Sequence, residues 1–233
     1  MKNFQLVLYF AYFIGVLAVN AFENLSKRNT TAISLSSTYE NYLATFVNDG
    51  DNITNDHRVC SHTELNKDKA WLQLDFGKPY SINTINIYYR NEDNWKPYRF
   101  RQFYIDMSDI PATLSNTSER TRCYTDNTTY PDLPPFIMEV PCKLTARYLI
   151  VETTYDAPED DPNTGAILEI CEIEVFGCEV GEYGADCKSC IGCQVCDITS
   201  GICSTFFVLE LKISKCMLQR IGRIDGGEDN QAY

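Results

Sequence analysis

Positive charge is scarce in this chain and histidine nearly absent: 20 Lys and Arg stand against 32 Asp and Glu, with two His, for a net charge of −12. A surface that tracks phosphates needs a basic excess, so nucleic acid is excluded as an expected partner. Acidic runs such as Asp156-Ala-Pro-Glu-Asp-Asp161 read first as solvated loop charge and second as carboxylates that help to hold a divalent cation. After the N-terminal apolar run, no segment approaches the roughly 20 apolar residues of a membrane span. No long stretch repeats with a period of 3.6, and the larger N-terminal region shows no internal repeat. A Gly-x-Ser-x-Gly element and a phosphate loop are also missing. Two histidines then leave little from which to build an active site, and the chain is read as a non-enzyme.

Lys2 precedes an apolar run from Leu6 to Val19, and Val19-Asn20-Ala21 carries small or apolar residues where a signal peptidase reads. Residues 1–21 are therefore expected to be a secretory signal peptide, with Phe22 the first mature residue and the protein secreted. Loss of Lys2 leaves 19 basic against 32 acidic residues, or −13. Asn-x-Ser/Thr triplets at Asn24, Asn29, Asn52, Asn116 and Asn127 fit an exported glycoprotein.

Cysteine is abundant and unevenly placed. Cys60, Cys123, Cys142 and Cys171 are spread through the first two thirds, six follow from Cys178 to Cys203, and Cys216 stands alone. Four and six both pair evenly, which puts a boundary near Gly177. Residues 22–177 are long enough to bury a core that disulfides staple, whereas 178–203 is too short for one and needs covalent closure. The cysteines at two-residue gaps, Cys187, Cys190, Cys193 and Cys196, would suit a metal only as thiolates, which an oxidising compartment does not supply. The Gly-x-Tyr-Gly-x-x-Cys opening at 181–187 and the Cys-Asp-x-x-x-Gly-x-Cys close at 196–203 resemble one EGF-like repeat of scavenger-type receptors, three bridges whose pairing the sequence leaves open.

Period-two alternation marks short strands in the larger region: Leu72, Leu74 and Phe76 against Gln73 and Asp75, Ile85, Ile87 and Tyr89 against Asn86 and Tyr88, Phe103, Ile105 and Met107 against Tyr104 and Asp106. Residues 147–153 and 167–176 are further β-rich runs, with Pro, Asn, Asp and Ser between them. The expected class is all-β, an antiparallel β-sandwich or jelly roll, plus a small disulfide-rich module.

Asn24-Leu-Ser26, Ser36-Ser-Thr-Tyr39, Val47-Asn-Asp-Gly-Asp51, Cys60-Ser-His-Thr63, Trp71-Leu-Gln-Leu-Asp75 and Ile170-Cys-Glu-Ile-Glu-Val175 occur in that order. Together they resemble the F-type lectins, extracellular domains of the galactose-binding-like sandwich, over about residues 23 to 178. The resemblance implies bridges Cys60–Cys171 and Cys123–Cys142, and a Ca2+ ion braced by Asp49, Asp51 and Glu172 with loop carbonyls.

It also implies sugar binding by a histidine and two basic residues. His62 matches the histidine and Arg90 the first basic residue. The stretch Arg90-Asn-Glu-Asp-Asn-Trp-Lys-Pro-Tyr-Arg99 then departs from the pattern: Glu92 stands for Asp, Pro97 holds the second basic position, and the vicinal cysteine pair is missing. Lys96 or Arg99 would supply the second cation, and Trp95 the apolar platform that a sugar's C–H face requires.

The expected function is reversible recognition of glycans or glycoproteins. A second reading is an adhesion or scavenger-receptor ectodomain fragment that takes protein ligands and has lost sugar binding. The tail 204–233, with Cys216, reads as a poorly ordered or truncated end of a longer receptor.

Overall fold

A computed structural model describes residues 21–161 and 164–203. Most of the leader expected at 1–21, and the tail at 204–233 with Cys216, lie outside the described residues. No α-helix occurs among the described residues, and no helix there is long and apolar enough to cross a membrane.

Ten strands follow in order: β1 (Glu23–Asn24), β2 (Ala32–Leu35), β3 (Ala70–Tyr89), β4 (Tyr104–Ser108), β5 (Thr121–Thr125), β6 (Ile137–Pro141), β7 (Thr145–Thr153), β8 (Ile170–Glu179), β9 (Glu182–Tyr183) and β10 (Lys188–Ser189). All their pairings are antiparallel. The organising element is β3. Its first half pairs with β2 and β7, and its second half with β6 and β8. One strand thus belongs to both layers of the sandwich, with β7–β4–β5 extending one layer and β8–β1 the other.

The sequence places separate strands at 72–76 and 85–89, and the structure joins them. Between Asp75 and Tyr80 the pairing register shifts, Gly77 takes φ +82°, and its amide donates to Asp75 Oδ1 at 2.8 Å. A left-handed glycine lets the chain turn the corner without leaving the ladder. Leu72, Leu74, Phe76, Ile85, Ile87 and Tyr89 then enter one core with Phe103, Ile105, Leu149, Val151, Ile173 and Val175. Each such side chain contributes about 2 kcal/mol by leaving water.

Asp106, the polar position alternating with Ile105 and Met107, is fully buried beside Arg120 and Arg122, because the 115–120 loop covers that face of β4. Strand β8 runs on past Gly177 through Cys178 to Glu179 against β3. Gly177 is a packing glycine: a Cβ there would meet Ser81 O at 2.3 Å.

Disulfides join Cys60 to Cys171 and Cys123 to Cys142 within the sandwich, and Cys178 to Cys187, Cys190 to Cys196 and Cys193 to Cys203 in the short segment. Cys178 is buried in the last sandwich strand, so its bridge fastens the small segment to the larger body. Asn29, Asn52, Asn116 and Asn127 are exposed; Asn24 is half-buried, and its Oδ1 caps the turn at Leu25–Lys27.

Candidate functional site

The segment 60–63 runs beside 168–171. Ser61 N donates to Ile170 O at 2.8 Å, Thr63 N to Leu168 O at 3.1 Å, and the Cys60–Cys171 bridge locks the pair. His62 is thereby set against Glu169. Arg90 leaves the end of β3 with its amide on Glu169 O at 3.1 Å, which brings a third residue to the same point. Reciprocal backbone bonds between Glu92 and Trp95, at 3.0 and 3.1 Å, fold the loop back and return Trp95 toward Arg90. Pro97 starts a 3-10 turn over Pro97–Phe100, its fixed φ suited to that first position, and the turn buries Arg99.

The result is a cavity of ≈ 290 Å³ bounded by Tyr39, Tyr42, His57, Cys60, Ser61, His62, Leu65, Arg90, Trp95, Arg99 and Glu169. That size is at the small end of ligand pockets.

Glu169, 1% exposed, is its floor. It accepts from Arg90 Nη1 at 2.6 Å and Trp95 Nε1 at 3.0 Å, and lies 3.2 Å from His62 Nε2 and 3.5 Å from Arg99 Nη1. Burial pushes its carboxyl up, but His62, Arg99 and Arg90 outweigh burial and hold it at about 2. His62 Nδ1 sits 2.5 Å from Thr63 O, so both ring nitrogens face oxygen acceptors.

Arg99 forks onto Asp160 at 2.6 and 2.8 Å. Burial works against its charge, yet Asp160 and Glu169 raise its proton affinity above the ordinary value. Arg90 shares its Nε with Glu92 at 2.9 Å, and Glu92 also takes the His57 amide at 2.7 Å. The Arg90 and Arg99 guanidinium carbons lie 4.8 and 4.4 Å from the Trp95 ring centroid, a cation–π arrangement that fixes the indole. Tyr39 and Tyr42 add aromatic wall to the cavity, their rings 5.0 and 5.9 Å from that of His62.

Four of the five sugar-binding candidates, His62, Arg90, Trp95 and Arg99, therefore meet in one cavity. Lys96 does not: it is exposed and outside the lining, because the turn begun by Pro97 sends Arg99 inward instead. Glu169, Asp160, Tyr39 and Tyr42 were missed as site residues. Glu169 carried no parity signal: its neighbours Leu168 and Ile170 enter the core, and the pairing register with β3 shifts between Ile170 and Glu172. Cys60 is bridged and the Ser61 hydroxyl donates to Ile170 O, so neither serves as a nucleophile.

The residues assigned to calcium behave differently. Asp49 Oδ1 accepts from Asp51 N at 2.8 Å and Asp51 Oδ1 from Ile53 N at 3.0 Å, while Glu172 pairs with Lys27. Among the described residues, the only three acidic, histidine or cysteine ligands that converge are Cys178, Glu182 and Cys187, and both cysteines belong to one disulfide. Asp49, Asp51 and Glu172 do not fit a calcium ion as they stand.

The family model for the NedA-like, galactose-binding domain matches residues 46–151. The fold is galactose-binding-like. Among solved structures, the chain is similar to a serum F-lectin (fucolectin) of the striped bass, Morone saxatilis, at 22% identity and a TM-score of 0.52, over 66% of this chain and 47% of that one. The chain thus spans about half the length of that lectin. It is similar to the lectin domain of lectinolysin complexed with Lewis b antigen, at 24% identity and a TM-score of 0.51, over 67% of this chain and 98% of that one. A histidine-mutant form of the lectinolysin domain, complexed with Lewis b, matches at 25% identity and a TM-score of 0.50, over 66% of this chain and 96% of that one. No curated protein matches.

Proposed function

We propose that this chain is an extracellular, non-catalytic glycan-recognition protein whose cavity holds a neutral terminal sugar between Tyr39, Tyr42 and Trp95. The observation that carries this reading is the convergence of His62, Arg90, Trp95 and Arg99 on the buried Glu169. A sugar exchanges its water for fixed donors and acceptors and lays its C–H face on an aromatic ring, and both provisions line one small cavity. The positive charges of Arg90 and Arg99 are already met by Glu169, Glu92 and Asp160. With no cationic surplus, an uncharged fucose- or galactose-type residue is favoured over a sialylated or uronic one. Fastening of the array to Glu169 and Asp160 pre-organises it, so little side-chain order is lost on binding. The leader, the sequons and the EGF-like pattern of 178–203 support a secreted or ectodomain setting.

A second reading, adhesion to a protein ligand, is favoured by the short segment, where Ile191 is 83% and Ile202 69% exposed.

The test is a glycan array with the oxidised full chain. Neutral fucosylated or galactosylated glycans are expected to bind, and Arg90→Ala to weaken them about 10-fold or more, the worth of one charge-assisted hydrogen bond. Absence of binding to every fucosylated and galactosylated glycan refutes the sugar reading.

A further inference from the structure

Lys27 ends the 3-10 turn at Leu25–Lys27, close to the 47–51 loop. Its Nζ lies 2.7 Å from Asn48 O and 2.5 Å from Glu172 Oε1. Glu172 Oε2 accepts the Gly50 amide at 3.2 Å, and Asn48 Nδ2 donates to Ser26 O at 3.0 Å. One ammonium thus ties together the first turn, the loop and the last long strand, across 145 residues of sequence.

The turn beneath it is shaped for the same purpose. Gly50 has φ +99°, a conformation that side chains rarely adopt, and a Cβ there would lie 3.5 Å from Lys27 Nζ. Asp49 and Asp51 each turn a carboxylate oxygen onto the amides of Asp51 and Ile53, and the two do not converge with Glu172 on one point. Glu172 is 2% exposed while Lys27 is 35% exposed, so the carboxylate is the buried partner and the ammonium the cover. A carboxylate held in that way needs a cation beside it.

A calcium ion gathers six to eight oxygens, among them backbone carbonyls and carboxylates. An ammonium has three donors and one charge, enough for a carbonyl and one carboxylate. We propose that the Lys27 ammonium occupies the seat of the divalent cation, so that the 47–51 loop is braced by the chain itself and takes no calcium.

The experiment is thermal unfolding of the oxidised full chain in EDTA and in millimolar calcium. The native protein is expected to melt at the same temperature in both, since no ligand is there to add stability by mass action. Lys27→Gln, which strands the Glu172 carboxylate, is expected to lower Tm by about 5–10 °C. Calcium, but not sodium at equal ionic strength, then restores part of that loss by entering the vacated seat. A native protein that loses stability in EDTA and regains it with calcium overturns the proposal. So does a Lys27→Gln protein as stable as the native one, or one that ignores calcium. Should Lys27→Gln fail to fold, the isosteric Glu172→Gln is measured in its place, and an unchanged Tm there is equally fatal. None of these readouts involves sugar, so their outcome is independent of the glycan array.

Discussion

Glu169→Gln is the sharpest perturbation of the cavity, because it keeps shape and volume and removes one charge. Its carboxyl is held at about 2 in the folded chain against an ordinary 4.5. With about 1.4 kcal/mol for each tenfold change in proton affinity, the ionised side chain contributes about 3 kcal/mol to folding. The group is almost wholly buried, so solvent screening takes little from this figure. Above pH 4.5 the carboxyl is ionised folded and unfolded, and the contribution is full; as pH falls from 4.5 through 2 the native carboxylate takes up its proton and the contribution is lost. In the Gln variant Arg90 keeps Glu92 and Arg99 keeps Asp160, so neither arginine is stranded and the loss does not greatly exceed that value.

Urea unfolding is the assay, followed by tryptophan fluorescence, since Trp95 Nε1 donates to Glu169 and reports the site directly. At pH 7 the variant is expected to be less stable by about 3 kcal/mol, or about 6–12 °C in Tm for a chain of this size. Toward pH 3 the difference narrows. Other carboxylates held down by arginines, such as Glu159 and Asp75, also lose stabilisation in acid, so the difference between the two proteins is the quantity read. A gap under about 0.5 kcal/mol at pH 7 refutes the reasoning, as does a gap that stays constant from pH 7 to pH 3.

Two other outcomes follow from the geometry. Lys96→Ala, outside the cavity, is expected to leave glycan affinity within about twofold, whereas Arg99→Ala weakens it by about tenfold or more and leaves Asp160 without its guanidinium partner; titration by isothermal calorimetry separates the two, and equal effects contradict the assignment. Replacing Cys123 and Cys142 together by Ser opens a loop of sequence separation 19 and is expected to cost about 3 kcal/mol in urea unfolding, a loss below about 1 kcal/mol arguing against that bridge as a staple.

The all-β class was readable because burial in a sandwich writes a period of two into the sequence, and Leu72, Leu74, Phe76, Ile85 and Ile87 carry it plainly. The continuity of β3 was not readable. Gly77, Lys78 and Pro79 look like a turn, and only the pairing partners on either side distinguish a corner within one strand from a break between two. The same limit hid Asp106, whose alternation is correct but whose outer face is covered by the 115–120 segment of the β4–β5 connection. Periodicity tells which residues share a face, and says nothing of what another segment lays over it.

At the site the asymmetry runs between donors and acceptors. His62, Arg90, Trp95 and Arg99 stand out because basic residues are outnumbered, and histidine and tryptophan are scarce, in this acidic chain, so each invites a functional reading. Glu169 and Asp160 belong to an acidic chain in which carboxylates are plentiful, and frequency alone conceals them. Their roles nevertheless follow from burial. A carboxylate buried between the core residues Leu168 and Ile170 requires cations around it, and two arginines on a loop that returns to the same strand end require carboxylates. Lys27 obeys the same rule at the next carboxylate of that run, Glu172, which is also buried. Reading inward acids and stray cations as halves of pairs, before assigning either to a ligand, would have joined Glu169 to Arg90 and Arg99 and would have set Lys27, rather than a metal, beside Glu172.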